Sequence, residues 1–231
     1  MKTFRNRALA LVFTVYLAAG IVSLAADSAV PHDSDYDYDP PVPGSYALPV
    51  IKMAPDGAII DSAGQASNLR ELTHGRITVL SFIYTRCAAP KACPYATGVL
   101  YDLNALSAQD KTLADNLRLV SLSFDPDYDT PQRLATYSEG MHEQKSGCEW
   151  RFATAKSQEA LDAIMNGYGQ AVDKRSNPND PQGPLYHILR VFLIDREGRI
   201  RNIYSSATLD PRLVLADVKT LLLEEKKLSK K

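Results

Sequence analysis

Cysteine is scarce in this chain, with three among 231 residues, too few for a fold stapled together by disulfides. A surplus of basic charge is missing as well. Lys and Arg total 26 against 27 Asp and Glu, a formal net charge of −1, which excludes a domain that holds nucleic acid through phosphate contacts. No internal repeat is visible, so the fold is not a stacked array. Histidine occurs four times, as His32, His74, His142 and His187, so a site that needs an imidazole has few candidates.

One stretch near the start lacks charge altogether. After Lys2, Arg5 and Arg7, the 19 residues from Ala8 to Ala26 carry none, and Ser23-Leu24-Ala25 supplies the small residues a signal peptidase reads. Residues 1–25 therefore read as a signal peptide. The run is also close to the roughly 20 residues that span a bilayer, so an uncleaved N-terminal membrane anchor is the alternative. No cysteine lies near the run, which excludes a lipid anchor there. Either way the rest of the chain is expected outside the cytoplasmic membrane, periplasmic or otherwise extracytoplasmic, soluble after cleavage or anchored by this segment. Cleavage after Ala25 removes three basic and no acidic residues, so the balance becomes 23 minus 27, or −4.

Residues 26–45 form an acidic, Pro-rich linker. From Asp27 to Ser45 the string DSAVPHDSDYDYDPPVPGS holds five Asp and four Pro and little that could enter a core. Residues 46–225 suit one domain, large enough to bury roughly 70% of its unfolded surface without staples. Residues 226–231 are a Lys-rich tail whose charge favours the C-terminus of a preceding helix.

Within residues 46–225 strand and helix patterns alternate. Ile77 to Tyr84 is apolar and β-branched enough for a buried strand, and Ala96 to Leu106 places Val99, Leu103 and Leu106 at helical spacing. Leu117 to Phe124 is the next strand, and Thr130 caps a helix with Pro131 at its first position. Trp150 to Ala153 reads as a short strand, followed by a helix face made by Leu161, Ile164, Met165 and Tyr168. A hairpin comes next, Val191 to Asp195 and Arg199 to Tyr204 around Arg196-Glu197-Gly198. Asp210-Pro211 then opens a last helix that turns Val214, Val218, Leu221 and Leu222 inwards. The pattern predicts an α/β fold: a thioredoxin-like sandwich with a central mixed sheet flanked by helices.

The chemistry concentrates in the string SFIYTRCAAPKACPYATGVL, where Cys87 and Cys93 share one loop between a strand and a helix. A helix N-terminus stabilises a thiolate, the form that attacks disulfides and binds metals. The pair has three readings: a structural disulfide, a redox dithiol, or two ligands of a metal site that takes a further ligand from elsewhere. Cys148 is left over and reads as a partly buried bystander.

Of the histidines, His32 lies in the linker, His74 precedes Gly75 in a turn and His142 follows Gly140 in a polar stretch. His187 stands apart, at the end of the Pro/Gly/Asn-rich loop DKRSNPNDPQGPLY and just before the strand VFLID. In a thioredoxin-type sheet that strand runs beside the one leading to Cys87, so His187 faces the cysteine loop. A lone histidine at a strand edge is ordinarily a hydrogen-bonding residue; the two cysteines give this one another use.

The strings FIYTRC and CP, then SFDPDYDTPQRLATYS, then EWRFATA, then His187 with FLIDREGRI five residues on, resemble the Sco (SenC-type) family of copper chaperones and thiol reductases. The resemblance covers nearly all of residues 46–225 in the family's order. It implies a thioredoxin-like fold in which Cys87, Cys93 and His187 bind copper, as Cu(I) or Cu(II), and a cuproprotein client such as a cytochrome c oxidase subunit with its binuclear copper centre. One feature departs from the family: five residues, Ala88 to Ala92, separate the cysteines, where three are usual. Loop closure cost rises slowly with length, so both sulfurs still reach one ion.

Two thiolates and one neutral imidazole are soft donors and only three in number, which suits Cu(I); zinc prefers a fourth ligand that is not evident here. The site would carry a net charge of −1, offset by the helix N-terminus and by Arg86 or Lys91. Lys91 otherwise reads as a solvated loop charge. Oxidation of the thiols to a disulfide abolishes such a site, so metal transfer and redox state are coupled and a thiol reductant is an expected partner. In the acidic stretch Asp125 to Asp129, one carboxylate is a candidate to orient Arg86 or the cysteine loop, and a turn with a helix cap explains the stretch equally. Two enzyme readings stand beside the chaperone: a thiol-disulfide oxidoreductase with Cys87 and Cys93 as its redox pair, and a one-cysteine peroxidase that needs one thiol to be dispensable.

Overall fold

The computed structural model describes residues 38–141 and 147–229. The expected signal or anchor segment, most of the linker, His32 and His142 lie outside the described residues. Among the described residues no helix is long and apolar enough to cross a membrane.

Three short strands come first, β1 (Lys52–Met53), β2 (Ala58–Asp61) and β3 (Ala66–Asn68), followed by helix α1 (Leu69–Thr73). Then follow β4 (Ile77–Ile83), α2 (Cys93–Ser107), α3 (Lys111–Asn116), β5 (Leu117–Ser123), α4 (Pro131–Ser138), β6 (Glu149–Ala155) and α5 (Gln158–Tyr168). The chain ends with β7 (Val172–Lys174), β8 (Leu185–His187), β9 (Arg190–Ile194), β10 (Arg199–Ser205) and α6 (Pro211–Leu228). Lys226 and Lys227 sit in the last turn of α6, where cations complement the exposed carbonyls.

Eight strands form one mixed sheet in the order β1-β10-β9-β4-β5-β6-β2-β3. β4, β5 and β6 run parallel, and β9 lies antiparallel beside β4, pairing Ser81 with Val191 and Val79 with Leu193. All seven residues of β4 are buried, as a central strand covered on both faces requires. Its run of β-branched and aromatic residues is why the strand is legible in the sequence. The thioredoxin-like α/β fold expected from the pattern is the one observed.

The periodic elements fall where the pattern places them, with shifted ends. β6 is longer than the expected Trp150–Ala153, and α2 begins at Cys93, three residues before Ala96. Pro94 sits in the first turn of α2, where its missing N–H leaves no hydrogen bond unmade. Thr130 accepts from the N–H of Arg133 and caps α4 as predicted. The β9–β10 turn needs Gly198: its φ is +77°, and a Cβ there would stand 2.1 Å from the His74 ring.

Cys148 is buried rather than partly buried, 4% exposed, just before β6. Its N–H donates to the Ser107 hydroxyl at 2.7 Å, and its carbonyl accepts from Asn104 at 2.7 Å, so its backbone ties β6 to the end of α2. It stands level with the start of β4, whereas Cys87 lies past the end of β4. Seven strand residues, roughly 23 Å, separate the two levels.

Candidate metal and dithiol site

The site lies where β4 runs out. Tyr84, 1% exposed, is the last buried residue of that run, and Cys87 follows after one turn, its N–H donating to the Tyr84 carbonyl at 3.1 Å. The loop then folds back so that Ala92 donates to the Ala89 carbonyl at 3.0 Å and α2 starts at Cys93. All three cysteines are free thiols.

Geometry makes the two loop sulfurs unequal. Cys87 is half-buried and Cys93 is 1% exposed. The Cys93 thiol donates a hydrogen bond to the Cys87 sulfur, and this, with the N–H groups of Cys93 and Ala89 and the Tyr84 hydroxyl, outweighs burial and pulls the Cys87 thiol down to about 6. Cys93 is pushed up, because it holds the shared proton, is buried and faces the charge on Cys87. At neutral pH the pair is therefore a thiolate at Cys87 and a thiol at Cys93. The first N–H of α2 is among the groups that stabilise the thiolate, the role expected of a helix start.

His187 joins them from β8. Its Nε2 lies 3.7 Å from the Cys93 sulfur. The ring packs on Phe124 with centroids 4.8 Å apart and edge-on to Tyr84 at 6.1 Å. Burial, then the charge of Arg175, holds its pKa down at about 4, so the imidazole is neutral at physiological pH and keeps a free lone pair. Cys87 and His187 also line one cavity of about 560 Å³. Among the described residues no group of three or more His, Cys, Asp and Glu side chains stands ready-gathered as an ion cage. Cys93 and His187 form the close pair of the site, and Cys87 shares the cavity wall with His187.

The segment expected as an open loop before His187 is a hairpin, in which β7 and β8 pair Val172 with His187 and Lys174 with Leu185. Tyr84 holds it in place: the phenol donates to the carbonyls of Leu185 at 3.0 Å and Gln182 at 3.2 Å. Gly183 makes the approach possible. Its φ is +102°, and a Cβ would stand 2.3 Å from the Tyr84 hydroxyl and 2.8 Å from the Arg86 carbonyl. Sequence reasoning missed Tyr84 and Gly183. A signal for the first was present, because a tyrosine at the end of a buried strand needs a partner for its hydroxyl.

The acidic stretch supplies carboxylates to Arg86 and to the base of the cysteine loop, and the helix cap beside it is Thr130. Asp125 accepts from Arg86 at 2.6 Å, and Arg86 and Arg133 both lie over the Tyr128 ring, at 3.9 and 3.7 Å. Asp129, fully buried, accepts from the Thr85 N–H at 2.9 Å, from the Ser123 hydroxyl at 2.5 Å and from the Thr85 hydroxyl, locking the ends of β4 and β5 together two residues before Cys87. Lys91 is exposed. His74 lies at the other end of β4 against Gly198 and takes no part in the site.

A free dithiol at a strand-to-helix turn of a thioredoxin-like sheet, with an imidazole brought in from a later hairpin, defines a thioredoxin-like dithiol protein equipped with a nitrogen donor. The chain belongs to the SCO1/SenC family, whose profile matches residues 53–223. It is similar to the SCO1 protein homolog of Bacillus subtilis, 26% identical over 153 residues that cover 65% of this chain and 73% of that one. Among solved structures it is similar to Arabidopsis thaliana ScoI with copper bound, with TM-score 0.62, 19% identity and coverage of 74% and 99%. It is also similar to BsSco, described as a member of the Sco family of cytochrome c oxidase assembly proteins with a disulfide switch, with TM-score 0.58, 19% identity and coverage of 76% and 96%.

Proposed function

We propose that this protein binds Cu(I) through Cys87, Cys93 and His187 and hands it to a cuproprotein outside the cytoplasmic membrane, such as a cytochrome c oxidase subunit. The observation that carries the reading is the 3.7 Å approach of His187 Nε2 to the Cys93 sulfur, with Cys87 on the wall of the cavity that His187 also lines. For a first-row ion bonded at about 2.3 Å to sulfur and about 2.0 Å to nitrogen, an angle of about 120° at the metal sets those atoms about 3.7 Å apart. That is the angle of a three-coordinate ion, and three soft donors suit Cu(I). Gathering all three on one point requires the half-buried Cys87 to swing in, and the five-residue loop supplies the slack. Imidazole is already neutral, so loading displaces protons only from sulfur. The copper-bound Arabidopsis relative and the family to which BsSco belongs support the cargo and the client. The N-terminal apolar segment supports the location, as a cleaved signal or a membrane anchor.

Anaerobic titration of the reduced protein with Cu(I) tests the reading. One ion per chain is expected, with His187→Ala losing about 1 to 3 kcal/mol of affinity, the scale of a lost buried partner. Unchanged binding in that variant contradicts it.

The asymmetry of the sulfurs favours a second reading, a thiol-disulfide oxidoreductase. A thiolate at Cys87 beside a buried, protonated Cys93 is the arrangement of an attacking and a resolving thiol. In that reading Cys87→Ser and Cys93→Ser both abolish reduction of a client disulfide, and a variant that retains it removes the reading.

A further inference from the structure

A second cavity, of about 490 Å³, lies between α5 and the stretch from Asp125 to Asp127. Phe124 and Leu185 stand in its wall, so it backs onto the elements that carry His187. Leu161 and Met165 of α5 extend this apolar wall. The polar groups of the lining are incompletely matched. Asp125 is taken up by Arg86 at 2.6 Å. Among the described residues the exposed Asp127 enters no ion pair, and the exposed Asp162 accepts only from the Gln158 amide, at 2.7 Å. Lys174 is the one cation of the lining, so with Asp125 neutralised the wall carries two negative charges against one positive.

Gln170 belongs to the same wall and is 6% exposed. Gly169, at φ +65°, ends α5 in a left-handed cap, and the Gln170 N–H donates back to the Met165 carbonyl at 2.8 Å, which fixes the backbone there. The side-chain Nε2 is buried and has no hydrogen-bond partner among the described residues. A buried donor left unmade is costly, and such a group is retained where a ligand completes it.

We propose that this cavity binds a small zwitterion of the basic amino acid class: a guanidinium or ammonium group on an alkyl stem that ends in a carboxylate. The cationic end would meet Asp127 and Asp162, the methylenes would lie on Leu161 and Met165, and the carboxylate would accept from the Gln170 amide and from Lys174. A metal ion does not match: no three His, Cys, Asp or Glu side chains converge among the described residues, and the space is many times the roughly 30 Å³ that one water fills. The ligand would brace Phe124 and Leu185, and with them the hairpin that carries His187, without touching the cysteines.

Calorimetric titration of the intact, reduced, metal-free protein tests this. L-arginine should bind at one per chain. L-citrulline, of the same shape without the charge, and agmatine, which lacks the carboxylate, should each bind at least about fivefold more weakly. Asp162→Asn, at an exposed position where the fold is safe, should weaken arginine at least about threefold and leave citrulline unchanged. Gln170→Leu should weaken both amino acids by a similar factor while the melting temperature holds or rises, because an unmatched buried amide gives way to an apolar side chain; a purely structural glutamine would cost stability instead. Saturating arginine should shift the amide NMR signals of Phe124, Gln170 and Leu185 and leave those of α6 unmoved. N-acetyl-L-arginine that binds as tightly as L-arginine assigns the source as the C-terminal residue of a peptide, and its failure to bind assigns the free amino acid. No saturable binding of arginine up to about 10 mM, equal binding of citrulline, or an affinity untouched by Asp162→Asn and Gln170→Leu would overturn the proposal.

Discussion

The two halves of the site are built in different ways. The cysteine half is local: seven residues from Cys87 to Cys93, set between a fully buried strand and a 15-residue helix, with Asp129 clamping its base. The histidine half is a three-residue strand, paired with β7 and held to the cysteine half by Tyr84, about a hundred positions earlier, which grips the Leu185 and Gln182 carbonyls, and by the Ala88 N–H, which donates to the Gln182 carbonyl at 3.2 Å. One half is held by secondary structure and the other by a few long-range contacts. The cysteine half should therefore survive damage that dislodges the imidazole, and the proposed copper site should be lost before the thiol chemistry is.

The sharpest way to separate them is Gly183→Val. A branched side chain at φ +102° and 2.3 Å from the Tyr84 hydroxyl forces the hairpin away, a strain of about 2 to 4 kcal/mol. Copper affinity should fall by that order while alkylation of Cys87 at pH 7 keeps its rate; equal loss of both would join the halves again.

Cys93→Ala attacks the other half. Removing the thiol that donates to Cys87 should return the Cys87 pKa from about 6 towards the ordinary thiol range near 8.5, and the rate of carboxamidomethylation at pH 7 should drop at least about tenfold. The sign for the parent follows from the same value. A pKa depressed in the folded state stabilises the fold fully above the unfolded thiol's pKa, and that contribution fades as pH falls towards 6. Chemical denaturation of the reduced protein should show this loss between about pH 9 and pH 6, and it should be absent in Cys87→Ser. His187, held down at about 4, adds no proton competition near neutrality; the proton displaced from Cys93 makes copper affinity fall with pH throughout, and the fall should steepen once Cys87 protonates below about 6.

Tyr84→Phe is milder. It removes the hydroxyl but keeps the ring against Phe124 and His187, and should cost about 1 to 2 kcal/mol of stability. Hydrogen exchange should accelerate at Leu185 to His187 and not in α2; acceleration in both would show that the hydroxyl supports the whole site. Smallest of all should be Arg86→Ala. The Arg86–Asp125 pair is partly exposed, so its loss should shift the melting free energy by at most about 1 kcal/mol.

The same division decides what could be read in advance. β4, β5, α2 and the β9–β10 hairpin are long or strongly periodic, and their burial is written as apolar runs that need no partner to be recognised. The cysteine turn inherits that legibility because it joins two such elements. β1 to β3, with two to four residues each, carry too few positions for a period, and β7 and β8 lie on either side of a loop whose Pro, Gly and Asn mark turns without saying what packs on what. The approach of His187 to Cys93 was legible only through the pairing of VFLID with the cysteine strand. Its anchoring by Tyr84 and Gly183 was not, because a hydrogen bond across a hundred residues leaves no local pattern. Cys148 was misjudged in depth because one apolar residue before a strand reveals nothing of what covers it.

The central claim is that an imidazole from the hairpin and the two loop sulfurs meet on one ion. X-ray absorption of the reduced protein loaded with one equivalent of Cu(I) reads this directly. A three-coordinate shell of two sulfurs and one nitrogen, with the nitrogen lost in His187→Ala, is the predicted spectrum; a shell of sulfur alone, unchanged by that substitution, would contradict the account.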